Sequence, residues 1–306
     1  MNRMAWLGLF VMILSEASTL ARIEPFWSWN TPIAWTGFIL FADGIVWRAR
    51  GNSWLRSNPR EFVFLAAVSI PLWIVFEGFN LFIRNWHYTG LPTNFSLRML
   101  GYAWAFATIW PALFEGAELV AIIRAGKAGG AGQAGPQARP ARPARPARPA
   151  LPALPALPAL PALVSVAAGA VMLAAPFVVP DALAVYMAAP VWLGFIFLLD
   201  PINAALGGES LWMDLRGGRR ERLINLSLSG LLCGLLWEFW NYWSRGKWIY
   251  SVPIMENLKL FEMPLPGYLG FPAFAVECFT MYVFVRTVLT LDRRMPAIGL
   301  GRSIAL

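Results

Sequence analysis

The sequence of 306 residues carries little charge: 14% are Asp, Glu, Lys or Arg, against about 25% in an ordinary soluble domain. Hydrophobic residues make up 58%, and the mean hydropathy is +0.55. That balance excludes a soluble enzyme and a disordered regulator and points to a polytopic membrane protein. Histidine is nearly absent. His87 is the single one, which excludes di-iron, zinc and haem centres built from several imidazoles. The two cysteines, Cys233 and Cys278, lie in apolar stretches, so neither a disulfide framework nor a thiolate metal site is indicated. Phosphate-cradling loops, the dinucleotide fingerprint, a G-x-S-x-G elbow, an H-E-x-x-H pair and a channel filter are all missing. No metal and no cofactor are therefore expected, although carboxylates and amides leave a site for a hard divalent ion open.

Long apolar runs are what the sequence does have. A hydrocarbon core of about 30 Å needs about 20 apolar residues per helix. Runs of that kind occur at 4–21, 32–47, 62–83, 99–123, 162–180, 183–200, 223–243 and 268–291. The first has a single Arg3, an acidic Glu16 and no small-residue cleavage site, and so reads as a retained helix. The expected fold is all-α, a polytopic helical membrane protein with about eight transmembrane helices. With eight spans, both termini, the loops 48–61 and 201–222 and the central linker share one side. That side holds 18 Lys and Arg, the other holds 6 (Arg22, Arg84, Arg98, Arg245, Lys247 and Lys259), and Arg286 lies within the last span. The asymmetry predicts cytoplasmic termini. The formal charge of +8 then reads as orientation and contact with membrane lipids rather than nucleic-acid binding.

The chain repeats itself. Trp35-x-Gly37-Phe-Ile-x-x-x-Asp43 and Gly51-x-Ser53 recur as Trp192-x-Gly194-Phe-Ile-x-x-x-Asp200 and Gly208-x-Ser210, at an offset of 157. Glu77-x-x-Asn80 with Trp86-x-Tyr88 recurs as Glu238-x-x-Asn241 with Trp248-x-Tyr250, at offsets of 161 and 162. Pro111-Ala112 leads to Glu115 as Pro272-Ala273 leads to Glu277. The expected organisation is a first four-helix repeat at 1–124, a low-complexity linker at 125–161 and a second repeat at 162–306. An even number of spans makes the two units parallel, related by a pseudo-twofold axis along the membrane normal. In the linker, proline at every third residue favours an extended polyproline tether. Gly230-x-x-x-Gly234 predicts close helix packing.

Inside the spans the charge balance reverses. Glu16, Asp43, Glu77, Glu115, Glu118, Asp200, Glu238 and Glu277 face only Arg286. Such a set is either largely neutral or gathered round a cation or water. Asp43 and Asp200 sit at the ends of their spans, where water or loop arginines would meet them. Glu77, Asn80, Glu238, Asn241, Glu115 and Glu277 are expected to converge near the pseudo-dyad as the candidate catalytic site. Trp73, Trp110, Trp237, Trp240 and Tyr242 are the candidate substrate-binding wall, suited to an apolar, flat or cationic ligand. The simpler reading of the polar groups is a hydrogen-bonded clamp in which each Glu meets an Asn. Trp86, Tyr88, Trp248 and Tyr250 read as an interfacial aromatic belt. The Pro- and Gly-rich run 261–274 reads as an ordered loop or re-entrant turn over the site.

The strings NTPIAWTGFILFADG, FEGFNLFIRNWHY, FATIWPALFEGAEL and FEMPLPGYLGFPAFAVEC resemble an uncharacterised group of bacterial multi-pass membrane proteins. The resemblance covers both halves without the linker; it implies a place in the bacterial cytoplasmic (inner) membrane and no activity. A distant analogy, for chemistry only, is to membrane-embedded lycopene-type cyclases, whose paired-acid Pro-x-Glu-Glu string this chain lacks. Three functions remain open. One is acid catalysis on, or binding of, an isoprenoid or lipid, with Glu77 or Glu238 as general acid oriented by Asn80 or Asn241. The second is a proton- or cation-coupled transporter using the same acids. The third is a structural subunit. Membrane lipids and a hydrophobic small-molecule ligand are the expected partners, and the sequence sets no oligomeric state.

Overall fold

A computed structural model describes residues 1–129 and 160–289, without the side chains of 127–129. The linker reading falls almost wholly outside them. In chain order the elements are α1 (Arg3–Leu20), α2 (Phe26–Arg50), α3 (Trp54–Ser57), α4 (Pro59–Ile83), β1 (Trp86–Thr89), α5 (Phe95–Gly129), α6 (Leu160–Val178), α7 (Asp181–Ala184), α8 (Ala188–Ala205), α9 (Leu211–Arg216), α10 (Glu221–Trp243), β2 (Lys247–Tyr250), β3 (Lys259–Leu260), β4 (Met263–Pro264), a 3-10 turn (Leu265–Leu269) and α11 (Gly270–Val288). The protein is predominantly helical with two small sheets. Among the described residues, seven helices are long and apolar enough to cross a membrane: α1, α4, α5, α6, α8, α10 and the segment that ends in α11. The expected span 32–47 lies in α2, which has ample length at 25 residues but is not among the seven. Asn30, Thr31, Asp43, Arg48 and Arg50 dilute its apolar run.

Packing follows small residues and buried polar bridges. α1 lies against α2 and α6 against α8. A Cβ on Gly8 would strike the backbone of Gly37 and Phe41, and one on Gly169 would strike that of Gly194 and Leu198. Such contacts let backbones approach where lipid supplies no hydrophobic drive between helices. Gly230 and Gly234 both face Phe271 at the start of α11. Asn30, fully buried, joins three helices: it accepts from Ser15 Oγ at 2.7 Å and donates to Glu16 and to the Trp240 carbonyl, each at 3.2 Å.

Asp43 and Asp200 are buried rather than solvated. Asp43 accepts from the Leu55 amide at 2.9 Å. Asp200 accepts from the Leu211 and Trp212 amides at 2.8 and 2.7 Å and from Ser210 Oγ at 2.8 Å. Each carboxylate thus satisfies first-turn amides of the short helix that follows it, α3 or α9, where a negative charge is favoured. This local demand explains why neither is left to water or to loop arginines.

Candidate functional site

Asn80 and Asn241, near the ends of α4 and α10, turn the chain into strands. Asn80 Nδ2 donates to the Trp86 carbonyl at 2.8 Å, and its Oδ1 accepts from the Asn85 and Trp86 amides at 2.8 and 3.2 Å. Asn241 Nδ2 donates to the Trp248 carbonyl at 2.8 Å while its Oδ1 accepts from the Trp248 amide at 2.9 Å. Both amides are occupied by backbone, so they neither orient nor clamp the glutamates. The strands they launch pair with each other: β1 and β2 are antiparallel, with Trp86 opposite Tyr250, His87 opposite Ile249 and Tyr88 opposite Trp248.

The two glutamates stand one turn deeper and hold these rings. Glu77 Oε1 accepts from Trp73 Nε1 at 2.8 Å, from Trp86 Nε1 at 3.3 Å and from the Tyr88 hydroxyl. Glu238 Oε1 accepts from the Tyr250 hydroxyl at 2.8 Å, and Trp248 Nε1 donates to that same hydroxyl at 2.9 Å. Glu238 Oε2 is buried. Burial of the phenol, and then the charge of the glutamate beside it, pushes Tyr88 and Tyr250 well above the ordinary tyrosine range. Both hydroxyls therefore stay protonated and keep donating.

These rings wall a cavity of about 530 Å³, within the range that holds small-molecule ligands. Seven tryptophans line it (Trp29, Trp35, Trp73, Trp86, Trp192, Trp237 and Trp248), with four tyrosines and three phenylalanines. Trp73 lies 5.7 Å from Trp237 and 6.0 Å from Trp86, and Trp237 lies 5.4 Å from Trp248, between ring centroids. Phe274 is the hub, 5.0 Å from Trp192 and 5.8 Å from Trp73. The expected loop at 261–274 contributes Met263, Pro264, Pro266 and Gly267 through β4 and the 3-10 turn, and Phe271 from the first turn of α11. Its prolines and glycines prevent a regular helix there. Among the described residues, the only charged ones that line the cavity are Arg98 and Lys247.

Of the expected wall, Trp73 and Trp237 line the cavity. Trp110 is fully buried behind it and donates to the Cys278 carbonyl at 2.8 Å. Trp240 stands edge-on to Trp35 at 4.8 Å, and Tyr242 lies outside, beside Trp243 and Phe261. The six expected polar groups do not converge. Glu115 lies toward the opposite end of the bundle against Asp43, with Arg50 nearby. Glu277 accepts from the Phe195 amide at 3.2 Å. Neither Glu77 nor Glu238 is among the residues lining the cavity. Trp86, Tyr88, Trp248 and Tyr250, read as a belt, turn inward because the strand pairing and the glutamates aim them there. Trp29, Trp35, Trp192, Tyr102 and Arg98 escaped sequence reasoning, although Trp35 and Trp192 are the first residues of the repeated string.

The opposite end of the bundle carries buried ion pairs, of which Glu118 is the one member from the eight intramembrane acids. Arg286 lies 3.4 Å from Glu61 and 3.7 Å from Glu209, Arg222 lies 2.8 Å from Glu209 and 3.3 Å from Asp214, and Arg50 pairs with Glu118. Arg50 and Arg222 sit at helix ends, outside the apolar runs, whereas Arg286 lies within the last one. Among the described residues no group of three or more His, Cys, Asp or Glu is placed to hold a metal ion. No family model, curated protein or solved structure matches the chain.

Proposed function

We propose that this chain is a multi-pass protein of the bacterial cytoplasmic membrane that binds a hydrophobic small molecule, isoprenoid or lipid, in the aromatic cavity between two halves. In this reading α2 is the eighth span, the halves are parallel four-helix repeats, both termini are cytoplasmic and the hairpin end faces outward. The repeat is supported by the matched strings and by matched roles: Asp43 and Asp200 each cap the next short helix, and Asn80 and Asn241 each hold a strand. The β1–β2 register supports it as well, since residues 162 apart occupy reciprocal places in the ladder. The excess of Lys and Arg at the other end supports the orientation.

The observation that carries the ligand reading is the wall itself, seven tryptophans drawn from both halves round one space of about 530 Å³. A ligand that enters from the bilayer gains no hydrophobic transfer energy, so the ring faces hold it by stacking and by attraction for positive charge. Binding fits better than acid catalysis. The carboxylates of Glu77 and Glu238 stand behind Tyr88 and Tyr250, so a proton would have to pass through a phenol to reach a ligand.

Native mass spectrometry of protein released in a mild detergent tests this. Gly101 lines the cavity, and a Cβ there meets nothing within 4 Å, so Gly101→Trp fills the space without a backbone clash. The wild type is expected to carry a hydrophobic adduct that the variant lacks at an unchanged melting temperature. A wild type free of adduct, or equal occupancy in both, refutes the proposal.

A further inference from the structure

We infer that the ligand of this cavity is an amphiphile with an anionic head, and that Arg98 binds the head; this rests on the cavity reading above. Six basic residues lie toward the hairpin end. Three are answered by acids: Arg84 by Asp181 at 3.3 Å, Arg245 by Glu24 at 3.2 Å and Lys247 by Glu262 at 2.6 Å. Of the other three, only Arg98 lines the cavity, and it forms no ion pair among the described residues. Among the described residues, no acidic one lines the cavity. The space therefore pairs an apolar, aromatic interior with one net unanswered positive charge on its wall.

Position supports a head-group role. Arg98 and Tyr102 are one helical turn apart on α5 and both line the cavity, so they share a helix face. Arg98 is half-buried, with its guanidinium 5.8 Å from the Phe95 ring. The five donors of a guanidinium suit a phosphate or carboxylate. Lys247, its charge already engaged by Glu262, sits on β2 opposite Thr89 and can add a donor without adding net charge. A neutral polyene would leave Arg98 unused. A cationic ligand would meet like charge with no acid on the wall. Charge complementarity thus selects an apolar chain ending in a phosphate monoester or a carboxylate, presented from the bilayer.

The test compares geranylgeranyl monophosphate with geranylgeraniol, the same chain without the charge, by quenching of tryptophan fluorescence in neutral detergent. The wild type is expected to bind the phosphate roughly ten-fold more tightly, a difference of one charge-assisted contact. R98Q is expected to lose that preference while binding the alcohol as before, and R98K to keep most of it. Inorganic phosphate is expected not to displace the amphiphile. Equal wild-type affinities for the two ligands overturn the inference and leave the cavity reading standing. R98Q that weakens both ligands alike also overturns it, since the cation then selects nothing. Displacement by inorganic phosphate overturns the choice of an amphiphile. Failure of both ligands to bind removes the cavity reading and the inference together.

Discussion

Trp86 and Tyr250, 164 positions apart, face each other across one antiparallel ladder. Tyr88 and Trp248 repeat the arrangement with the partners exchanged. All four rings line the cavity, so the site exists only when both halves of the chain are in place. Gly90 follows β1 with φ of +64°, and a Cβ there would strike the Arg245 carbonyl. Gly90→Ala is expected to destabilise the protein by more than the roughly 1–2 kcal/mol that a left-handed backbone costs a non-glycine residue. Gly51 has φ of +74° with open space around its Cβ position. Gly51→Ala should show only the backbone cost. Thermal melting of both variants in one detergent checks the contrast.

Tyr88 and Tyr250 give a signature in alkali. Burial, then the neighbouring glutamate, raises both phenols far above the ordinary value of 10.0. A raised folded-state value means that the stability these phenols contribute is complete below pH 10. It is lost as pH climbs from there through the folded-state value. Tyrosinate absorbance of the wild type and of a Tyr88→Phe/Tyr250→Phe variant is expected to be equal near pH 10.5, because these two of the seven tyrosines remain neutral. A deficit of two tyrosinates in the variant would contradict the burial.

Glu77 and Glu238 act on rings. Their γ-amide counterparts can still accept from Tyr88 and Tyr250, so Glu77→Gln and Glu238→Gln are expected to retain ligand binding. Glu238→Leu strands the Tyr250 hydroxyl and should cost about 1–3 kcal/mol, read as a lower melting temperature with weakened binding. Loss of binding in the Gln variants at normal stability would instead give the carboxylates a direct role.

Arg286 is expected to matter for stability alone. It is 1% exposed and lies near Glu61 and Glu209. Arg286→Met should destabilise by about 3–5 kcal/mol, as when one partner of a buried pair is removed. Arg219, half-exposed beside Asp214, should cost at most about 1 kcal/mol when changed to Gln. Melting temperatures with unchanged ligand selectivity in any surviving protein are the check.

Hydropathy located the helices because twenty-residue apolar runs have few other fates. α4 at 59–83 and α10 at 221–243 lie close to the runs at 62–83 and 223–243. α8 is displaced, running from Ala188 to Ala205 instead of 183–200. Asp200 and Pro201 look like a stop, yet the helix passes through them because Asp200 is buried as a cap for α9. The repeat pointed to Glu77, Glu238 and their Trp-x-Tyr partners. It could not show that four-residue strands 160 positions apart would pair, since so short a strand has no period to read and its partner is fixed only by tertiary structure. Glu115 does not join the other expected groups because α5 continues through Pro111 and carries it to Asp43. In sequence Arg98 is one basic residue among six on its side, and only the folded cavity makes it a lining residue.

The central claim is that the space between the halves holds a hydrophobic ligand. A cryo-EM map of the wild-type protein in lipid nanodiscs tests it most directly. The account predicts elongated density among Trp73, Trp192 and Trp237, with its polar end toward Arg98. A compact ion-like peak beside Glu77 or Glu238, or a cavity closed by its own side chains, would contradict it.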